Sequence, residues 1–541
     1  MEIDCDASEV DALVEAWARH ARTLLDAVGW RNEQTAWHRL DSGGVLLALS
    51  APIDTLYAAV DVNDAAWRRA EAELRGVPPP SEDVLLPPLR DAIRDERNPR
   101  LIALADAAAK HHVTLLWDDD EVSLGLGRYA QTWPSNALPD PGDVDWAQRG
   151  DIPVGLVTGT NGKTTSVRMA ACIVRAAGLN AGFSSTDWVG VNQRIIDRGD
   201  YSGPGGARAV LRDRAVDAAV LETARGGLLR RGLGVAHADA ALITTIAEDH
   251  LGDFGSHNLQ QLLDVKWIVT RALGDTGSAV LNAEDPLLVA KAVELVAPIL
   301  WFALDPNNPT LSAHVQAGGQ ATTVIDGALS RFDGNRWRAL CAINDIPLTM
   351  NGAARHNVAN ALAAAGLTHA MGIDDDAIVR GLTGMTAVDN PGRGNIYDVD
   401  GVEVLVDFAH NPQGMAAIFD LASRHPAKRR LLAFAQAGDR TDKAIREQAQ
   451  VAWRTGFDRI LVSELAHYHR GRDHGEIFAL LRDEFRSLGA TEGQVVHFEE
   501  ELDALHHALD WARPGDLVIM LALGDARNIM AELDKRGSER P

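Results

Sequence analysis

Gly155-Leu156-Val157-Thr158-Gly159-Thr160-Asn161-Gly162-Lys163-Thr164-Thr165 joins a short apolar strand to a helix through a glycine-rich turn. Val154, Leu156 and Val157 read as a buried strand, while Val167, Ala170, Ala171, Val174 and Ala177 recur at helical spacing. Backbone N–H groups at such a helix start bind phosphate oxygens, and the helix dipole favours the same anion. Lys163 can reach terminal phosphates and the Thr164 hydroxyl can ligate magnesium. The general phosphate-loop pattern, Gly-x-x-x-x-Gly-Lys-Thr, would need glycine at Val157, so the turn here is a variant. An ATP-consuming protein is the first expectation.

The chain of 541 residues exceeds what one core organises, and its length predicts several domains. Acidic residues outnumber basic ones 76 to 52, for a net charge of −24, which disfavours a nucleic-acid partner. Cys5, Cys172 and Cys341 lie far apart without metal-site spacing, as in a reducing compartment. The first residues are acidic rather than a basic region with an apolar core, and no apolar stretch reaches the ~18 residues of a membrane span. A cytoplasmic protein without membrane contact is expected.

The fold class expected is α/β in three domains. Residues 1–148 read as a mixed α/β N-terminal domain, with a helix over Val10–Val28, an apolar run at Val45–Leu49 and a break at Pro78-Pro79-Pro80. Pro139, Pro141 and several acids make Asn136–Asp151 read as a linker. Residues 149–388 read as a central phosphate-loop ATPase domain. Ala218–Leu221, Ala240–Thr244, Ala279–Leu281 and Leu300–Ala303 alternate there with helical patterns, which predicts a parallel sheet. Asp389-Asn390-Pro391-Gly392 punctuates the chain. Residues 389–541 then read as a Rossmann-like α/β domain, with strands near Val404–Asp407, Leu431–Phe434, Arg459–Val462 and Leu517–Leu521.

Ligands bind at the carboxyl ends of parallel strands, so polar residues there carry weight. Glu222 follows Val220-Leu221 and can hold magnesium directly or through water; as an isolated acid it would be a solvated cap. Asp249-His250 follows another apolar run and can bring an imidazole to the same place, where a lone histidine would more often be an ordinary hydrogen-bonded residue. Lys266, on a predicted helix, would by itself be an ordinary salt-bridging lysine.

Thr158-Gly159-Thr160-Asn161-Gly162-Lys163-Thr164 resembles the loop of the Mur ligase superfamily, which includes peptidoglycan ligases, folylpolyglutamate synthetase and the ligase half of cyanophycin synthetase. Further blocks resemble that last group: Gly199–Pro204, Val216–Gly234, Glu248–Gly252, Asn390–Arg393, Val406–Pro412, Gly438–Asp442 and Arg470–Glu476. Residues 1–148 resemble its N-terminal region, through Val122–Gln131. The resemblance implies ATP and Mg2+ as cofactors, with nucleotide bound by Gly159, Thr160, Asn161, Gly162, Lys163, Thr164 and Thr165. It implies a magnesium environment of Thr164, Glu222 and His250, and a carbamylated Lys266 joining it. Asn282, Asp285, His356, Asn357 and Asn360 would lie on the nucleotide side, Arg393 would reach the phosphates and Asp407 the ribose. His410, Asn411, Arg440, Asp442, Arg470, Arg472 and Glu476 would serve the substrates. Lys163, His250, Lys266 and Arg393 would be the catalytic set.

The implied activity is an ADP-forming ligase that activates a carboxylate as an acyl phosphate and joins it to an amino acid. One departure stands out: the phosphate loop begins about twenty residues after Gln131, where cyanophycin synthetase carries an ATP-grasp module. An amino acid added to an acidic, cyanophycin-like or peptide acceptor is the expected outcome. A peptidoglycan- or folate-type ligase with another acid, or a nucleotide-binding regulatory pseudoenzyme, stays open at the level of sequence.

Overall fold

A computed structural model describes residues 1–40, 43–249 and 257–539. The chain divides into two compact units, Met1–Asp151 and Ile152–Pro541. Among the described residues no helix is long and apolar enough to cross a membrane.

In the first unit the opening helix spans Val10–Ala27 and packs on Leu56–Leu74 and a small antiparallel sheet ordered Glu2–Ile3, Val45–Leu49, Thr35–Arg39. Trp17 is fully buried and its indole N–H donates to the Asn63 Oδ1 at 2.8 Å, which satisfies the one polar atom the ring brings into the core. The stretch 136–151 is not a free linker. Leu138 and Val144 are buried beside Leu101 and Leu104, and Trp146 stacks on His111 at 4.5 Å. Apolar residues between its prolines give it a core to join.

Among the described residues the second unit contains two large sheets. The first has eleven strands, with a parallel centre ordered Ala181–Ser184, Ala218–Glu222, Val154–Thr158, Ala238–Ile243, Leu273–Asn282, Ile299–Phe302, Ala321–Ile325. Antiparallel strands extend both edges. From Val154–Thr158 the chain runs first to Ala181–Ser184 and Ala218–Glu222 on one side of it and then crosses to Ala238–Ile243 on the other. That reversal opens a crevice at the strand ends, and the glycine turn lies in it. All residues of Val154–Thr158 and Ala218–Glu222 are buried, because helices cover both faces. The helix after the turn, Lys163–Ala176, is buried from Thr164 through Val174.

The second sheet is ordered Val495–Phe498, Arg459–Ser463, Arg430–Ala435, Leu517–Leu521, Val402–Asp407, Asn395–Val399, Ser538–Glu539. Its first five strands are parallel, and Asn395–Val399 pairs antiparallel with both of its neighbours. Residues 389–394 connect the two sheets.

Helix Asp375–Thr383 packs on the phosphate-loop helix at Gly381, where a Cβ would lie 2.4 Å from the Ile173 Cα. Backbone cannot yield as a side-chain tip can. Gly381→Ala therefore lowers the thermal unfolding midpoint, with overpacking of about 1–3 kcal/mol outweighing the ~1 kcal/mol gain in helix propensity. An unchanged or raised midpoint would show that the helices separate freely.

Candidate functional site

The glycine turn is shaped by two positions that reject a side chain. Gly159 has φ +141° and a Cβ there would meet the Thr244 Oγ1 at 1.9 Å; Gly162 has φ +85° and its Cβ would meet the Asn360 Oδ1 at 2.3 Å. Gly162 caps the helix without a side chain, so the first-turn amides face the cavity with no side-chain cap among them. The turn is sutured to the segment after Ala238–Ile243. Thr160 N donates to Thr245 O at 2.7 Å, Ala247 N to the Thr160 Oγ1 at 3.0 Å, and the Thr244 hydroxyl to Asn161 O at 2.6 Å. Asn282 and Asp285 brace that segment from behind: the Asn282 Nδ2 donates to Thr244 O at 3.1 Å, and Asp285 Oδ2 accepts from Ile246 N at 2.6 Å.

Three oxygen donors meet beside the turn. The Thr164 hydroxyl lies 2.9 Å from Glu222 Oε2, the Thr186 hydroxyl lies 3.0 Å from Glu222 Oε1, and the two hydroxyls are 3.1 Å apart. Glu222 is buried and all three line the cavity. Among the described residues no group of three or more His, Cys, Asp or Glu could hold a metal. One carboxylate with hydroxyls fits magnesium, a hard cation that fills its shell with phosphate oxygens and water rather than an all-protein cage.

Two lysines sit close by. Lys163 Nζ folds onto its own turn, donating to Thr160 O at 2.9 Å, and Lys266 Nζ donates to Gly159 O at 2.7 Å. Burial, and then the positive charge of Lys163, hold the Lys266 amine well below the ordinary lysine range.

The second sheet completes the cavity. Asn161 and Asn411 exchange amide hydrogen bonds at 3.2 and 3.0 Å, and Asn161 also donates to Gln413 Oε1 at 2.7 Å. Asp249 pairs with Arg440 at 2.7 Å and faces His410 at 3.8 Å. Arg393 lies over the Phe408 ring at 4.3 Å and reaches Asp187 at 3.4 Å. The resulting cavity of about 610 Å³ is lined by the turn, Glu222, Lys266, Asn282, His356 and Asn360 from the first sheet and by Arg393, Asp407, His410, Arg440 and Arg470 from the second. That volume suits a small-molecule ligand. Burial pushes His356 down to about 4, and its buried Nδ1 has no partner among the described residues, so a neutral ring faces the cavity.

Residues 157–368 match the Mur ligase middle domain, and 392–524 match the Mur ligase glutamate ligase domain. The chain belongs to the Mur ligase family. It is 32% identical over 509 residues to cyanophycin synthetase of Crocosphaera subtropica, covering 92% of this chain and 56% of that protein. It is 36% identical over 371 residues to cyanophycin synthetase of Synechocystis, covering 68% and 42%. The chain thus spans about half the length of these curated relatives. A solved bifunctional folylpolyglutamate synthase/dihydrofolate synthase, with Mn, AMPPNP and L-glutamate bound, superposes with a TM-score of 0.51 at 19% identity, covering 71% of this chain and 89% of that one.

Several residues expected at the Mur ligase site stand behind it. Asp285 caps helix Pro286–Lys291, spending its carboxylate on the amides of Ile246, Leu287 and Leu288. Asp442, Arg472 and Glu476 do not line the cavity either. Arg472 instead binds Asp442 at 2.7 Å, Glu476 at 2.5 Å and the carbonyls of Gly438 and Arg440, so these three shape the loop that presents Arg440. Arg470 lines the cavity while paired with Asp439. Gly159 and Asn411 act one step back, through Thr244 and Asn161. His250 lies outside the described residues.

Sequence reasoning passed over Thr186, Asp187 and Arg168. Arg168 is only 2% exposed; it binds Asp187 at 2.5 Å, Asn390 Oδ1 at 3.2 Å and Pro391 O at 3.3 Å, and it lies 4.1 Å over the Trp188 ring. A charged residue between the apolar Val167 and Met169-Ala170-Ala171 was the available signal.

Burial raises Asp407 to about 6 against the pull of Arg393. An acid whose folded value exceeds its unfolded one binds protons more tightly when folded, so stability falls as pH rises from about 4 through about 6. Asp407→Asn is expected to raise the unfolding free energy at pH 7.5 by about 3 kcal/mol at most, with the gain gone below about pH 4. A gain that persists at low pH would locate the effect outside ionisation.

Proposed function

We propose that this chain is an ATP-dependent, ADP-forming ligase that joins a substrate carboxylate to an amino-acid amine. The carrying observation is the single cavity that holds the phosphate-cradling turn on one wall and Arg393, Asp407, His410 and Arg440 on the other. Such a chamber encloses a phosphoryl group between cations and keeps water from an activated acid.

In this reading the free amides of the turn and Lys163 bind the β- and γ-phosphates, with Lys163 leaving the Thr160 carbonyl to do so. Arg393 meets the γ-phosphoryl from the opposite wall. His356, Asn357 and Asn360 face the base and Asp407 the ribose. Magnesium, when bound, neutralises phosphate charge, and Thr164, Thr186 and Glu222 would hold it. The carboxylate takes the γ-phosphoryl group, giving an acyl phosphate and ADP. The amine then attacks the acyl carbon, loses a proton, and phosphate leaves as the amide forms. His410, Arg440 and Arg470 orient the amine-bearing substrate, whose alignment supplies much of the rate.

The domain division supporting this reading is 1–148, 149–388 and 389–541, with ATP handled mainly by the middle part. The acceptor is an acidic, cyanophycin-like or peptide chain end made by another reaction. Lys266 fits carbamylation, because burial draws its amine below the ordinary lysine range and only the unprotonated form of an amine attacks carbon dioxide. The product carbamate would present oxygens where the lysine presents its nitrogen.

Phosphate release from ATP should require both an acidic peptide and an amino acid from a mixed panel. Release with neither, or with neither pairing effective while ATP still binds, would favour a hydrolase or a regulatory nucleotide binder. Lys266→Ala should lower turnover by at least about 100-fold, in the range of lost transition-state electrostatics, with partial recovery on adding formate or acetate. Full activity of that variant removes Lys266 from the mechanism.

A further inference from the structure

Arg168 and Arg393 share one carboxylate, that of Asp187. Arg168 takes Asp187 Oδ2 at 2.5 Å, whereas the Arg393 Nη2 stands 3.4 and 3.5 Å from its two oxygens. Asp187 thus faces two guanidinium groups with one carboxylate. Two guanidinium groups and one carboxylate leave a net positive charge beside the cavity. Arg168 cannot move to meet an incoming anion: it is buried, stacked on Trp188, and bonded to Asn390 and Pro391. Arg393 can, since among the described residues its guanidinium is held by a long contact to Asp187 and by the Phe408 face.

We propose that Asp187 is a positioning residue for Arg393, held in place by Arg168, and that it aims the Arg393 guanidinium at the nucleotide phosphates before they arrive. This rests on the ATP-site reading above. Asp187 gives Arg393 direction without locking it, because the nearer guanidinium already claims the stronger half of the carboxylate. A guanidinium aimed in advance loses less freedom when phosphate binds.

The test is a double-mutant cycle on affinity for a non-hydrolysable ATP analogue with magnesium, measured by calorimetry on the full chain. Asp187→Asn should weaken binding by about 5-fold in the parent and by less than about 2-fold in an Arg393→Ala background, since groups acting through each other are not additive. Asp187→Glu, which restores the anion, should recover most of the loss. The same loss in both backgrounds, no loss, or tighter binding overturns the proposal. Failure of the unmutated chain to bind the analogue at all would instead reject the ATP-site reading, and the two failures are therefore distinct.

Discussion

The buried guanidinium of Arg168 is the constraint on which the second unit depends. Taking a guanidinium out of water costs several kcal/mol, and here burial lowers its pKa to about 10. The cost is offset by an ion pair with Asp187, two hydrogen bonds to the segment joining the sheets, and the Trp188 ring. Arg175, two turns further along the same helix, reaches Asp389 at 2.7 Å. The helix that starts at the phosphate-cradling turn therefore grips the connection to the second sheet at two points. The direction in which residues 389–394 leave the first sheet follows from that grip.

From this tether the rest of the chamber follows. The second sheet presents Asn411 to Asn161 and Arg440 to Asp249, so both the turn and the strand-end segment beside it have partners across the junction. These polar contacts stand beside an apolar one, in which Ala354 joins the buried cluster of Leu405, Met415 and Ile418. Polar contacts can exchange for others at little net cost. Arg393 lines the same cavity as Lys163 and Lys266. Cations gathered in one cavity make it complementary to a polyanion, and burial together with Lys163 holds the Lys266 amine well below the ordinary lysine range.

The strands were legible because parallel strands buried on both faces read as continuous apolar runs; Ala218–Glu222 and Leu517–Leu521 are visible as such in the sequence. The turn, Glu222 and Lys266 were legible from local chemistry or motif likeness. The stretch 136–151 was misread as a linker because prolines mark breaks without saying whether the apolar residues between them find a core. Asp285, Asp442, Arg472 and Glu476 were placed in the site because a motif marks a neighbourhood and not a direction. Their side chains spend their hydrogen bonds on backbone and on each other. Arg168 and Asp187 could not be paired from sequence, since nothing local tells a helix arginine which loop carboxylate lies across from it.

The central claim is that the carboxylate of the acceptor, and not water, receives the phosphoryl group in this chamber. An acidic peptide whose carboxyl oxygens carry heavy oxygen decides this directly, with the released phosphate analysed by mass spectrometry after turnover with ATP and amino acid. Transfer through an acyl phosphate places one labelled oxygen in each phosphate formed, because the acceptor oxygen stays with phosphorus when the amide forms. Phosphate without label, at the same amount of ATP consumed, would contradict a ligase and identify water as the acceptor.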